Sequence, residues 1–213
     1  MNKRTVAAFA GAFALCAGVA HAAVVSTFTP FTGDPAEVQV TIEDSGDGVQ
    51  ISLAVDSTNT GNVADIRGFF FDLAGFDAGL DYYFTGSDIS GYAYSAGGIS
   101  NLGGGNNING GGSPGPLDFG VDIGSPGIGS DDVQSTSFFF GVVGGTVSET
   151  AFIGQSGAVR VTSVGPDGGS RSGSSKTTGT FEEMTPVPLP ASGLLLLGGF
   201  GAIAALRRKE KVV

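Results

Sequence analysis

Two neighbouring segments constrain the fold most. In Glu37–Glu43 the apolar residues Val38, Val40 and Ile42 alternate with polar ones, and in Val49–Val55 so do Val49, Ile51, Leu53 and Val55. A period of two gives each extended segment one apolar face and does not suit the 3.6-residue repeat of a helix. Between them lies Asp44-Ser-Gly-Asp-Gly48, where Asp47-Gly48 supplies positive-φ turn chemistry. The unit predicts a β-hairpin with one wet face.

Gly68–Leu73 and Ser137–Val143 each carry three consecutive phenylalanines. Alternation sends Phe69 and Phe71 to the face opposite Phe70, so such a strand needs apolar cover on both sides. Tyr82–Phe84, Thr146–Ile153 and Ala158–Val164 are further strand candidates. The last places Val159, Val161 and Ser163 on one side and Arg160, Thr162 and Val164 on the other. Long helical patterns are missing, so the expected class is all-β: a β-sandwich of about seven or eight strands over residues 23–180. Within it, 13 of the 34 residues from Gly97 to Ser130 are glycine, which predicts a long mobile loop with little apolar burial. Gly165–Thr180 reads as a second loose stretch, either a loop before a last strand or the start of a tether.

The termini read as addresses. Residues 1–22 have the form of a secretory signal peptide: Lys3 and Arg4, an apolar run, then Ala20-His21-Ala22 as a small-x-small cleavage site. Cleavage there starts the mature chain at Ala23 and implies the Sec export machinery as a partner. After a linker at 181–186, the chain ends in Val187-Pro188-Leu189-Pro190-Ala191, an uncharged run over 191–206, and the basic cluster Arg207, Arg208 and Lys209. At about 1.5 Å per helical residue, the 16-residue run spans about 24 Å, short of a hydrocarbon core of about 30 Å. Snorkelling of the flanking cations and local thinning of the bilayer make up the difference. The basic cluster is the membrane stop, and the positive-inside rule keeps it cytoplasmic with the body on the other side of the inner membrane.

The three-part ending at 187–211 resembles the VPLPA variant of the PEP-CTERM sorting signals of exported Gram-negative proteins. The resemblance implies an exosortase-type membrane protease as partner, removal of the helix, and release of the body to the cell surface or extracellular polysaccharide matrix. The alternative reading of the same residues is an unprocessed tail anchor.

Loss of residues 1–22 has a chemical consequence, because Cys16 and His21 are the only cysteine and histidine. A body without either excludes disulfides, Ser-His-Asp and Cys-His triads and Cys/His zinc sites. From Ala23 to Thr185 there are 19 Asp and Glu against four Lys and Arg, a formal charge of −15, which argues against a nucleic-acid partner. The same surface suits divalent cations. Calcium is the one cofactor suggested, with Asp44 and Asp47 in the hairpin turn, Asp56 and Asp65 around the next loop, and Asp131-Asp132 as candidate ligands. Against it stands the ordinary preference of Asp for turns. There is no Trp, and Tyr92 and Tyr94 beside glycines are candidate polysaccharide contacts. The sequence thus predicts a non-enzymatic, exported surface or matrix protein. A calcium- or carbohydrate-binding adhesion module is the alternative, and a carboxylate-pair hydrolase is third.

Overall fold

A computed structural model describes residues 23–126, 128 and 131–182; the signal-peptide, linker-end and sorting-signal expectations lie outside the described residues. The strands are β1 (Ala23–Gly33), β2 (Glu37–Ser45), β3 (Gly48–Asp56), β4 (Asn62–Phe71), β5 (Tyr82–Thr85) and β6 (Ile89–Ile99). They continue with β7 (Asn101–Gly103), β8 (Asn106–Asn107), β9 (Leu117–Ile123), β10 (Ser135–Val142), β11 (Ser156–Pro166) and β12 (Gly173–Thr180). Ten of them form one antiparallel sheet in the order β5-β10-β3-β2-β1-β12-β11-β4-β9-β6, and β7 and β8 form a separate small hairpin. The large sheet nearly closes into a barrel. Its two end strands, β5 and β6, are consecutive in sequence, and Phe84 meets Tyr92 across them at 5.0 Å.

The all-β expectation holds, but the strands are more numerous than seven or eight and the two halves are not separate sheets. The reason is β1. Its residues Ala23 to Phe28 pair with β2, while Thr29 to Gly33 pair with β12, with a register shift between Pro30 and Thr32. Proline lacks an amide donor and is tolerated at such bulges, where a strand turns the corner from one sheet half to the other.

The β2–β3 hairpin forms with Ser45 opposite Gly48, so the turn is Gly46-Asp47, one residue earlier than the sequence suggested. Gly46 has φ +63° whereas Asp47 does not have positive φ, the pattern of a two-residue hairpin turn with glycine first. Gly48 instead opens β3, where a Cβ would lie 2.5 Å from the Phe139 ring.

Phenylalanine fills the interior. Phe28, Phe69, Phe71, Phe119, Phe138, Phe140, Phe152 and Phe181 are all fully buried in the main core. Phe71 stacks on Phe119 at 4.8 Å and meets Phe140 edge-on at 5.4 Å, the geometries that aromatic quadrupoles favour. Phe70 points the other way, as its position in the triplet required. It is covered on the outer face by Ile108, Leu117 and Ala158, with Phe31, Ile99 and Leu102 packed around them.

That outer cover overturns the loop expectation for 97–130. The stretch contains β7, β8 and β9, and β9 is an interior strand of the sheet between β4 and β6. Gly120 there admits close approach: a Cβ on it would lie 2.7 Å from Ile99. Residues 99–115 form a flap over the sheet. Gly165–Thr180 is corrected likewise, since β12 is a full strand between β1 and β11. Thr146–Ile153 is no strand: Ser148 caps a 3₁₀ turn at Glu149–Ala151 by accepting a bond from Thr150 N–H.

In β11 the side assignment also changes. Ser163 has φ +50° at a register shift, and the extra residue returns Val164 to the core beside Val159 and Val161.

Candidate functional site

The cations of this acidic body are not dispersed. Arg160 on β11 is the direct cross-strand partner of Lys176 on β12. Residues opposite each other in antiparallel strands share a face, and like charges so placed repel. The flap arches over them. Arg160 borders two clefts of about 290 Å³ each, one lined also by Arg67, Asn106 and Thr162, the other by Thr32, Asn109, Ser174 and Lys176.

Each side chain is positioned by the sheet and the flap. Lys176 Nζ donates to Asn107 Oδ1 at 2.8 Å and to the Asn109 carbonyl, tying the flap down. Arg160 donates through one terminal nitrogen to the Ser175 carbonyl at 3.1 Å, while its Nε is buried without a partner. Arg67, 8% exposed, donates to the Ile123 carbonyl. Asn106 lies over Gly68, where a Cβ would collide with its amide. It donates to the Arg67 carbonyl at 2.8 Å and to Asp122, and its Oδ1 is buried with no partner. Burial lowers the Arg160 pKa, and burial together with the Arg160 charge lowers that of Lys176. Among the described residues the one ion pair is Arg171 with Asp132, so neither Arg160 nor Lys176 is neutralised by a carboxylate.

The candidate calcium ligands do not converge on one point, although Asp65 lies within range of the Asp131 charge. Asp44 and Glu149 clasp reciprocally: Glu149 N–H donates to Asp44 Oδ1 at 2.8 Å and Asp44 N–H to Glu149 Oε2 at 2.7 Å. This pins the hairpin to the 3₁₀ turn. Asp47 accepts at its backbone carbonyl from Val147 N–H. Asp131 accepts from the backbone and hydroxyl of Ser125 at 2.8 and 2.9 Å. Asp132 takes a bidentate pair from Arg171 at 2.6 and 2.7 Å, which lowers its pKa. Asp56 caps Thr58 N–H. Asp65 is fully buried, accepting from Val133 N–H and the Thr162 hydroxyl, and burial raises its pKa. Calcium takes six to eight oxygens, and no group of three or more carboxylates that could hold a metal occurs among the described residues.

The tyrosines also separate. Tyr82 is buried, and Tyr94 packs against it at 5.4 Å; Tyr92 is 45% exposed and rests on Phe84. Of the two suggested polysaccharide contacts, only Tyr92 faces solvent. Two carboxylates do share a site, Asp72 and Asp118, where burial and then the Asp118 charge raise the Asp72 pKa. Asp118 N–H donates to Asp72 Oδ1, and Leu73 and Gly97 N–H donate to the two oxygens of Asp118.

No protein-family model matches the sequence, and neither a curated protein nor a solved structure matches it.

The basic cleft was missed because strand register is not written in the sequence. One signal was present: Arg160 falls on the polar side of its strand, and it and Lys176 are two of only four cations in the body.

Proposed function

We propose that this chain is an exported, non-enzymatic structural protein of the cell surface or extracellular polysaccharide matrix. In this reading residues 1–22 direct export through the Sec machinery. The 187–211 signal holds the body at the inner membrane through the 191–206 helix until an exosortase-type protease cuts it. The observation that supports the reading is how the body holds the residues next to both signals. Ala23, the residue after the expected cleavage, lies in β1 and pairs with Glu43. At the other end Phe181 is buried in the core and Glu182 N–H donates to Ser26 Oγ at 3.0 Å. Every strand and core side chain among the described residues lies in the part of the chain that both cleavages retain.

The test is the intact mass of the protein recovered from native envelope. The expected species starts at Ala23 and ends near Pro188–Ala191. A species retaining Leu194–Lys209 would make the tail a plain anchor, and one retaining His21 would defeat the export reading. The second reading, a carbohydrate-binding module, is favoured by the polar clefts under the flap.

A further inference from the structure

We propose that the paired clefts under the flap bind an acidic sugar, with Arg160 and Lys176 holding its carboxylate and the hydroxyl and amide groups around them holding its ring hydroxyls. A body carrying 19 acidic side chains and four basic ones has carboxylates to spare, yet it sets two cations directly across from each other, and among the described residues neither has a carboxylate partner. Opposed like charges destabilise a sheet. An anion between them removes that repulsion. Guanidinium is the group best matched to a carboxylate, and an ammonium beside it adds a point charge.

The lining narrows the class. Around Lys176 the second cleft presents Thr32, Ser174 and Asn109 and no aliphatic or aromatic side chain, so it offers hydrogen bonds rather than apolar contact. Across Arg160 the first cleft adds Thr162 and Asn106. At about 290 Å³ each is at the small end of ligand sites. The formal charge of −15 repels densely charged polyanions at long range, so one carboxylate per sugar fits better than a phosphate or sulfate polymer. The choice of a sugar as the carrier of that carboxylate rests on the matrix reading above; the binding of a carboxylate does not.

Glucuronate titrated into the exported protein purified from envelope, followed by calorimetry and by the rise in melting temperature, tests this directly. Glucose, acetate and sulfate serve as comparisons. Saturable binding of glucuronate at least about tenfold tighter than glucose or acetate is expected, with a loss of at least about tenfold in Arg160→Gln and in Lys176→Gln. Glucose binding as tightly as glucuronate would remove the cations from the argument, and acetate or sulfate binding as tightly would leave a simple anion site. No saturable glucuronate binding, or full affinity in both variants, would overturn the proposal. The wild-type comparison stands even if a variant fails to fold. Because it reads binding and not the chain ends, its failure is distinct from failure of the mass measurement.

Discussion

Gly157→Ala tests the claim that this core is built of phenylalanine laid on glycine. Gly157 lies on β11 between Phe71 of β4 and Gly179 of β12. A Cβ there would lie 2.6 Å from Phe28 Cζ and 2.7 Å from Phe181 Cζ, about 1 Å inside normal carbon contact. Neither ring has room to yield, since Phe28 is 0% and Phe181 1% exposed and they face each other at 5.4 Å. Replacing glycine by alanine ordinarily stabilises by about 0.4–1 kcal/mol through the unfolded state. Overpacking costs about 1–3 kcal/mol. The net expectation is a destabilisation of about 1–2 kcal/mol, or roughly 2–8 °C in melting temperature for a domain of this size. Thermal and urea unfolding of the variant measure it. Gly111→Ala is the control, because nothing lies within 4 Å of its Cβ and its φ is not positive; it should be neutral or slightly stabilising. Shrinking Phe28 to Leu should relieve the clash, so the double variant Gly157→Ala/Phe28→Leu should be more stable than the sum of the single changes by at least about 0.5 kcal/mol. A Gly157→Ala protein as stable as wild type, or strict additivity with Phe28→Leu, would refute the reasoning.

Ile108→Ala should cost about 2–5 kcal/mol, because Ile108 is fully buried over Phe70, and should speed hydrogen exchange in residues 99–112; a passive loop would show neither effect. Asp72→Asn should raise stability at pH 7, measured by urea unfolding. Burial and the Asp118 charge raise the folded pKa of Asp72, so the penalty for ionising it is fully present above that folded pKa and gone below the ordinary value of 3.8, where variant and wild type should converge. Arg171→Gln should cost no more than about 1 kcal/mol, since the pair with Asp132 is partly exposed. Asp132 has a lowered folded pKa, so that contribution is present above 3.8 and disappears as pH falls through the folded value; a pH series of melting curves shows it.

The hairpin was legible because its apolar residues keep strict period two over both strands, and the phenylalanine triplets were legible because alternation forces cover on two faces. What the second face would meet was not. Ile99, Leu102, Ile108 and Leu117 are separated by glycine-dense stretches with no helical or strand period, so the flap read as a loop. Gly68 and Gly120 beneath it admit the Asn106, Ile99 and Leu102 side chains, while Gly103, Gly104 and Gly105 take positive φ in open space, reasons that composition alone mistakes for disorder. Val164 was misplaced because nothing in Thr-Ser-Val announces the bulge at Ser163. Of the calcium candidates, Asp44, Asp131 and Asp132 bond to Glu149, Ser125 and Arg171, partners that the sequence does not announce. The cation pair needed the β11–β12 register, which is a property of two strands and not of either one.

The bond from Glu182 N–H to Ser26 Oγ sets the chain's exit three residues from the start of β1. A body whose two ends emerge side by side can be grafted as a guest into a surface loop of another protein, or permuted by joining those ends and reopening the flap at Gly111, without stretching any strand.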